Sequence, residues 1–276
     1  MVTTIIQVAD IHIRNLKRLD ELKDALDVFI KKCKKIIKEK TPEAVRICVC
    51  GDIFENHITI SNEALACCSY FFRELNKLGC KVIVFAGNHD YSTGAAQRLD
   101  SLSPIFSLGK YENLFYLDSE LGYESGCLVD NNIVWCLYST FEGFANPPIE
   151  DFKENHPEKT FVGLIHGEVN GATNFFGMEM THGLDPGSFS QLDFVLAGHI
   201  HKFQEIKKNG VPVVYCSSLI QKDFGETVTG HGFVVWDVPS KSYEFVKIPN
   251  SDYGLYKFTV NGLQDLEDDK EELTNL

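Results

Sequence analysis

The sequence lacks any apolar run that approaches the roughly 20 residues needed to span a bilayer. It also lacks the basic start and the cleavage site of a signal peptide, because residues 1–6 are mostly apolar and look like part of a first strand. These absences argue against a secreted or membrane-bound protein. We therefore expect an intracellular protein, cytoplasmic or nuclear, with no membrane partner.

A disulfide framework is also missing. The nine cysteines are odd in number, contain no CxxC pair, and lie inside apolar runs, as Cys48 and Cys50 do in VRICVC. Disulfide scaffolds are typical of much shorter secreted chains. We therefore interpret these cysteines as buried, reduced thiols.

Positive charge is scarce as well, since 26 Lys and Arg residues face 39 Asp and Glu residues and the net charge is −13. This balance disfavours a nucleic-acid binder that works through a broad basic face. It does not exclude a nuclease, because bound divalent cations would add local positive charge. Part of the acidic excess lies at Asp265–Glu272, so we expect a catalytic domain at 1–250 and a short acidic extension at 251–276.

Apolar periodicity predicts an α/β protein. Apolar residues recur every three or four positions across 17–40, which predicts a long amphipathic helix that Thr41 and Pro42 terminate. A second helix is predicted at 64–78. Strands are predicted at 4–9, 45–50, 81–86, 127–129, 133–138, 160–165, 193–197, 203–206, 211–215, 232–238 and 243–248, with hairpin turns at 130–132 and 208–210.

Side chains that can bind metals follow five of these strands. They are Asp10 and His12, Asp52, Asn88 with His89 and Asp90, His166, and His199 with His201. Loops at the carboxyl ends of strands converge in open sheets, so we expect these side chains to form one site. Carboxylate, amide and imidazole ligands without thiolates suit a divalent ion such as Mn²⁺ or Fe²⁺.

The local backbone leaves two arrangements open. On extended chain, residues i and i+2 point the same way, so Asp10 and His12, or His199 and His201, would serve one cavity. If the strand ends bend, the two members of a pair would reach adjacent metals. Glycines at 51, 87 and 198 permit tight turns and close backbone approach. The remaining histidines, at 57, 156, 182 and 231, look like ordinary loop residues.

The order DxH, GD, GNHD, H and GHxH resembles that of the calcineurin-like metallophosphoesterases. The contexts ADIHIRN, GDIFE, LIHGEVNG and LAGHIHKFQ, with YCSSLIQKDFGE before GFVVWDV, are most similar to the SbcD-type nucleases of double-strand-break repair. The resemblance covers about residues 3–240. It implies an α/β fold with two central mixed sheets flanked by helices, in four layers, α/β/β/α.

The resemblance also implies roles for the site residues. One metal ion would be held by Asp10, His12 and His201, the other by Asn88, His166 and His199, with Asp52 bridging them and His89 beside the scissile phosphate. Two such cations, Mn²⁺ or alternatively Fe²⁺ or Zn²⁺, would neutralise the phosphate and activate water. No Ser- or Cys-based triad is needed, and none has a convincing context.

The chain departs from the SbcD-type pattern at Glu55, where those nucleases usually carry a histidine. A carboxylate there resembles the protein phosphatases of the superfamily, so we expect Glu55 to be a hydrogen-bond partner of His89. The chain is also short for an SbcD-type nuclease. A DNA-capping domain would then be absent or reduced to 251–276, and an SbcC-type ATPase partner and a homodimer are implied by the resemblance alone.

Three further features have alternative interpretations. Arg14 either contacts a substrate phosphate or makes a surface salt bridge, and Lys202 and Lys222 are weaker candidates for phosphate contact. Phe175 and Phe176 lie in a long Gly-rich connection, which is where functional loops occur. Packing of these rings is favoured over stacking on an unpaired base.

Three functions follow from these patterns. The first is a metal-dependent DNA nuclease, exonuclease or single-strand endonuclease, acting in DNA repair or recombination. The second is a phosphatase or phosphodiesterase that acts on nucleotides or another small phosphoester, which the acidic charge and Glu55 favour. The third is a scaffold without chemistry, whose hallmark would be substituted ligands, and none of the eight site positions is substituted.

Overall fold

Twelve strands form two sheets in the computed structural model, which describes residues 1–92, 98–207, 210–250 and 254–257. The strands are β1 (Thr4–Val8), β2 (Val45–Cys50), β3 (Lys81–Phe85), β4 (Leu114–Tyr116), β5 (Gly126–Asp130), β6 (Ile133–Tyr138), β7 (Thr160–His166), β8 (Phe194–Gly198), β9 (Gln204–Ile206), β10 (Val213–Tyr215), β11 (Gly232–Asp237) and β12 (Ser242–Lys247). The α-helices are α1 (Leu19–Glu39), α2 (Asn62–Asn76), α3 (Ser103–Gly109), α4 (Leu117–Glu120) and α5 (Ile149–Asn155). Three short 3₁₀ turns occupy Pro42–Ala44, Thr140–Glu142 and Pro186–Phe189.

Both sheets are mixed and have six strands. The first sheet has the order β12-β11-β1-β2-β3-β4, in which β1 to β4 are parallel and β11 is antiparallel to β1. The second has the order β5-β6-β7-β8-β10-β9, in which β6, β7, β8 and β10 are parallel. With helices on their outer faces, the two sheets confirm the predicted layered α/β fold.

Helix α1 covers the outer face of the first sheet because its apolar residues repeat at helical spacing. Leu22, Leu26 and Phe29 are fully or almost fully buried in one cluster with Ile6 and Val8 of β1. The helix ends at Glu39, and its cap residue precedes the predicted Thr-Pro stop. The predicted bounds of this helix, 17–40, are therefore wrong by only one or two residues at each end.

The two sheets pack against each other and are tied by a buried glutamine. Gln7 of β1 donates through Nε2 to the carbonyls of Ala197 and Val214 in the second sheet, at 3.0 and 2.8 Å. Its Oε1 accepts a hydrogen bond from Trp236 Nε1 at 2.9 Å. Because every polar atom of this side chain has a partner, the bonds set β1 against β8 and β10 without an unsatisfied buried group. The loops that follow β1 and β8 are thereby brought together.

Parts of the predicted organisation lie outside the described residues. These are residues 208 and 209 of the second hairpin turn, the acidic segment 265–272, and all of 251–276 except 254–257. The short elements β4, α3, α4 and α5 were not predicted. Among the described residues, no helix combines the length and the apolar character that crossing a membrane requires.

Candidate metal centre

Asp10, His12 and His201 form a first ligand group at the ends of β1 and β8. His12 Nε2 lies 2.9 Å from His201 Nε2. Asp10 Oδ1 lies 3.9 Å from His12 Nε2 and 3.7 Å from His201 Nε2. One carboxylate oxygen and two imidazole nitrogens therefore face a common point, a geometry that could hold a metal ion.

Asp52, His166 and His199 form a second ligand group, at the ends of β2, β7 and β8. Asp52 Oδ2 lies 3.1 Å from His166 Nε2. His199 Nδ1 donates to the side-chain oxygen of Asn88 at 2.9 Å, which attaches the loop after β3 to the same group. The structure thus brings the predicted ligands from both sheets to one place.

The two ligand groups meet at the Asp52 carboxylate. Its Oδ2 is 3.5 Å from His12 Nε2 in the first group and 3.1 Å from His166 Nε2 in the second. Its Oδ1 accepts the main-chain N–H of His89 at 2.8 Å. One carboxylate oxygen therefore lies between both sets of imidazoles, where the sequence predicts a bridging ligand.

The backbone bends sharply at the site residues. Asp10, His12 and Asp52 adopt left-handed φ values of 55°, 49° and 52°, and φ of His199 is 96°. The extended arrangement is therefore wrong for His199 and His201, which separate into different ligand groups. Asp10 and His12 nevertheless share the first group despite the bend.

Two glycines permit the close approach of these loops. A Cβ at position 198 would lie 2.1 Å from the Cys50 carbonyl oxygen, and one at position 87 would lie 2.2 Å from Asp52 Oδ1. Contacts this short exclude any side chain unless the loops move apart. The predicted role of Gly87 and Gly198 in close packing is confirmed.

The donor set of imidazole nitrogens and carboxylate oxygens, without thiolates, fits a divalent metal ion that is neither very hard nor very soft. His166 Nε2 is buried and makes no hydrogen bond, although it points at the Asp52 carboxylate. Burial lowers the pKa of His166, but the Asp52 charge more than compensates and raises it to about 9. Burial lowers the pKa of His12 to about 3 and that of His199 to about 4. His12 and His199 are therefore neutral, the ligand state that divalent metals require, whereas His166 would release its proton on binding a metal ion.

Two of the imidazoles donate from Nδ1 to a fixed acceptor, and a third has a carboxylate beside that atom. His166 Nδ1 donates to the Cys50 carbonyl at 2.7 Å, and His201 Nδ1 donates to Glu226 Oε1 at 2.6 Å. His12 Nδ1 lies 3.1 Å from Glu55 Oε2. The hydrogen bonds of His166 and His201 fix the tautomer that leaves Nε2 free to bind a metal, as supporting groups around metal ligands do. Sequence reasoning missed Glu226, whose only signal was its place in the YCSSLIQKDFGE segment.

The predicted contact between Glu55 and His89 exists, but through a different atom. His89 Nδ1 donates to the main-chain carbonyl of Glu55 at 2.8 Å. The Glu55 carboxylate instead lies beside His12, 3.4 Å from Lys222 Nζ and 3.8 Å from Arg14 Nε. Burial raises the pKa of Glu55, but the His12 imidazole beside it and the positive charges of Lys222 and Arg14 lower it to about 2. Glu55 is therefore an ionised carboxylate that lies beside His12 and forms ion pairs with Arg14 and Lys222.

The basic candidates lie at different distances from the ligands. Arg14 and Lys222 line a narrow cleft with His12, and the exposed Lys17 joins them there. Lys202 Nζ instead donates to Thr173 Oγ1 at 3.1 Å. On the other side, a cleft of about 720 Å³ opens beside Asn88, His166 and His199, with Tyr91, Phe141, Phe144 and the exposed His182 in its lining.

Two sequence interpretations near the site need correction. His231 does lie in a loop, directly before β11, but it is fully buried, with Nε2 donating to the Thr227 carbonyl at 2.7 Å and Nδ1 3.0 Å from Ser218 Oγ. The expectation that Phe176 packs inside the protein is wrong, because 81% of that residue is exposed. Phe175 is half-buried, with its ring 6.1 Å from the His231 ring.

Comparisons with known proteins agree with the motif order. Residues 3–203 match the family model described as calcineurin-like phosphoesterase. A curated relative, the uncharacterized protein R555 of Acanthamoeba polyphaga mimivirus, is 36% identical over 258 residues, or 91% of this chain. The chain spans only 18% of the length of that relative.

Solved structures with a similar arrangement share little sequence. A dimetal phosphatase from Danio rerio aligns over 86% of this chain and 93% of its own, with 13% identity and a TM-score of 0.48. GAP50, the anchor in the inner membrane complex of Plasmodium, covers 84% and 80%, with 11% identity and a TM-score of 0.47. Vps29 from Entamoeba histolytica, complexed with Zn²⁺, covers 87% and 88%, with 11% identity and a TM-score of 0.39.

Proposed function

The chain belongs to the calcineurin-like phosphoesterases, and we propose that it hydrolyses phosphodiester bonds of DNA with two bound divalent metal ions. The observation that carries the proposal is the position of Asp52. Its carboxylate lies between the first ligand group and the second, 3.5 and 3.1 Å from the nearest imidazole nitrogens. A shared carboxylate between two ligand sets is what a dinuclear centre requires.

The chain's own residues have distinct tasks in this proposal. Asp10, His12 and His201 would hold one cation, and Asn88, His166 and His199 the other, with Asp52 shared. When bound, the two cations supply the charge that neutralises the phosphate and the acidity that activates water. Mn²⁺ is the proposed metal because the donors are oxygen and imidazole nitrogen, without thiolates.

His89 is proposed to serve the leaving oxygen. Its main-chain N–H is fixed on Asp52 and its Nδ1 on the Glu55 carbonyl, at 2.8 Å each. The ring stands 5.0 Å from the His12 ring, nearly perpendicular to it. Because Nδ1 is engaged, Nε2 is the atom available to donate a hydrogen bond or a proton to the leaving group.

DNA is the proposed substrate because the site is open and has a cationic border. Arg14, Lys17 and Lys222 line the cleft that reaches His12, in a chain whose net charge is −13. A local group of cations in an acidic protein can bind a backbone phosphate next to the scissile one. The SbcC-type ATPase partner and the homodimer stay predictions from the family resemblance.

A small phosphoester is the second candidate. Three carboxylates, Glu168, Asp223 and Glu226, line the cleft beside His199 and His201, which disfavours a long polyanion on that side. A nucleotide or another small phosphoester would fit between this cleft and the cationic border. The two candidates share the metal centre and differ only in what the border binds.

The test is Mn²⁺-dependent hydrolysis of labelled single-stranded DNA, double-stranded DNA and bis-p-nitrophenyl phosphate. We expect cleavage of DNA, and a loss of kcat by about 10²- to 10⁴-fold in His89→Ala, which is the usual contribution of a positioned acid. Hydrolysis of the small diester with intact DNA would support the second candidate. Metal binding without hydrolysis of any substrate would contradict both.

A further inference from the structure

The segment 173–179 is a tight loop that carries Phe175 and Phe176 near the metal centre. Thr173 and Glu179 pair as an isolated antiparallel bridge, and Asn174 N donates to the Met178 carbonyl at 3.1 Å. The Asn174 side-chain oxygen accepts the N–H groups of Phe176 and Met178, each at 3.0 Å. The loop is therefore ordered by its own hydrogen bonds, although its end is exposed.

This loop is attached to the segment that carries the metal ligands. Gln204, three residues after His201, brackets Thr173: its Oε1 accepts the Thr173 N–H at 2.8 Å and its Nε2 donates to the Thr173 carbonyl at 2.7 Å. Lys202 Nζ adds a bond to Thr173 Oγ1 at 3.1 Å. Movement of the loop relative to His201 would break these bonds, so the phenylalanines have a fixed position beside the centre.

The two rings form one wall of a cleft of about 220 Å³. His199 and His201, one from each ligand group, line the same cleft. Phe176 leaves 81% of its surface exposed, and its ring edge lies 3.0 Å from the point where a Cβ on Gly225 would sit. An exposed aromatic side chain on an ordered loop is available for a planar ligand rather than for the core.

Charge in this cleft indicates which part of a substrate it would accept. Its lining includes the carboxylates of Glu168, Asp223 and Glu226 and none of the basic residues that border His12. A further phosphate would be repelled there, whereas a neutral ring would not. The cations Arg14 and Lys222 line the other cleft, so the phosphate and the base would bind in different clefts beside the centre.

We propose that Phe175 and Phe176 form a stacking subsite for one unpaired nucleobase next to the scissile phosphate. The inference deepens the proposed function, since it names the substrate class of the same site. Stacking needs an open ring face, which a base inside a duplex does not offer. The subsite would therefore favour single-stranded DNA or a frayed end over a closed duplex.

Three esters with the same leaving group test the subsite. Thymidine p-nitrophenyl phosphates, as the 3′ and the 5′ ester, are compared with methyl p-nitrophenyl phosphate, which has no base. Phe176→Ala removes the ring on which the base would stack, so its kcat/KM on a thymidine ester should be about 5- to 150-fold lower than that of the wild type. The change should fall on KM, because stacking is equal in the ground and transition states. The methyl ester should be unaffected.

Further variants separate stacking from apolar contact and from folding. Phe176→Tyr should restore thymidine ester hydrolysis, whereas Phe176→Leu should behave like Phe176→Ala because it lacks an aromatic face. Leu108→Ala, which truncates another strongly exposed apolar side chain on α3, should match the wild type. Equal losses on the thymidine and methyl esters, or full activity of Phe176→Ala on both, would overturn the proposal.

A binding measurement distinguishes this failure from failure of the proposed function. If the wild type hydrolyses none of the esters, a single-stranded oligonucleotide containing 2-aminopurine is titrated with the wild type and with Phe176→Ala. Fluorescence quenching by the wild type alone would support the subsite although the hydrolysis proposal fails. Equal fluorescence with both proteins would overturn the subsite as well.

Discussion

The contact between Glu226 and His201 predicts a specific loss of metal affinity. Glu226 Oε1 accepts His201 Nδ1 at 2.6 Å, and Oε2 accepts the main-chain N–H of Lys222 at 2.8 Å. Burial raises the pKa of the Glu226 carboxyl, but the His201 hydrogen bond outweighs burial and lowers it. The carboxylate therefore stays ionised and keeps the His201 Nε2 atom facing Asp10.

The magnitude follows from the usual effect of such supporting groups, about 10- to 100-fold in metal affinity, or about 1.4–2.7 kcal/mol. Glu226→Gln keeps one side-chain oxygen that can still accept from His201 Nδ1, but it loses the charge and the acceptor for the Lys222 N–H, so we expect a loss near tenfold. Glu226→Ala leaves both His201 Nδ1 and the Lys222 N–H without their acceptor, so its loss should approach 100-fold. Calorimetric titration of the metal-free protein with Mn²⁺ measures both.

Only one of the two binding steps should weaken, because Glu226 contacts the first ligand group and not the second. Activity of Glu226→Gln should recover at high Mn²⁺ concentration, since the ligands themselves remain. Glu168→Gln is the matched control, since Glu168 lines the same cleft. Wild-type affinity in both Glu226 variants, with unchanged circular dichroism, would refute the reasoning.

Two further predictions concern stability and can be read from chemical denaturation. Asp130→Ala should lower the free energy of unfolding by about 3–5 kcal/mol, because it breaks a buried pair of hydrogen bonds with Arg46 (2.7 and 3.0 Å) that joins the two sheets. The control is Glu39→Ala, which breaks an exposed ion pair and should lower the free energy of unfolding by about 0–1 kcal/mol. Equal losses in the two variants would contradict this prediction. Burial raises the pKa of Asp118 to about 7. The contribution of the protonated carboxyl to stability is therefore full below the ordinary carboxyl pKa, and it is lost as the pH rises from that ordinary value through about 7. Relative to Asp118→Asn, the metal-free wild type should therefore lose about 2–3 kcal/mol between pH 5 and pH 8, and a constant difference would contradict the assignment.

Regular elements were predictable where a local pattern defines them. The strand at 45–50 was predicted with the bounds that the structure shows, because Val45, Ile47 and Val49 alternate in a short run between a helix stop and Gly51. The three-residue strand β4 was not, because so short a run has no period of its own and depends on tertiary contacts, namely its pairing with β3 and the packing of Leu114 and Tyr116 in the core. The strand predicted at 211–215 begins two residues later, at Val213, directly after Pro212.

The residues of the candidate site were likewise predictable only where a local sequence pattern marks them. Asp10, Asp52 and His166 were predictable because each lies at the end of a strand or two residues beyond it, and parallel strands bring those ends together. Glu226 was not, because it reaches His201 from an irregular loop 25 residues away with no periodic signal. Phe176 was misjudged for a related reason: aromatic residues are usually buried, and only the hydrogen bonds around Asn174 show that this one is held outside.

Backbone strain at the ligand residues shows that contacts between the loops, more than any single ligand, set the geometry of this centre. Left-handed conformations cost about 1–3 kcal/mol each for residues with side chains, and they persist only where surrounding bonds enforce them. Here the N–H of Asp10 is bonded to the Gly51 carbonyl at 3.1 Å, that of His12 to the Asp52 carbonyl at 3.0 Å, and that of His199 to Asp10 Oδ1 at 3.0 Å. Each bond joins two ligand-bearing loops, so each strained residue is held by its neighbour in the site. The protein thus places its ligands through contacts between its own loops, and bound metal ions would add to an arrangement that the sheets already impose.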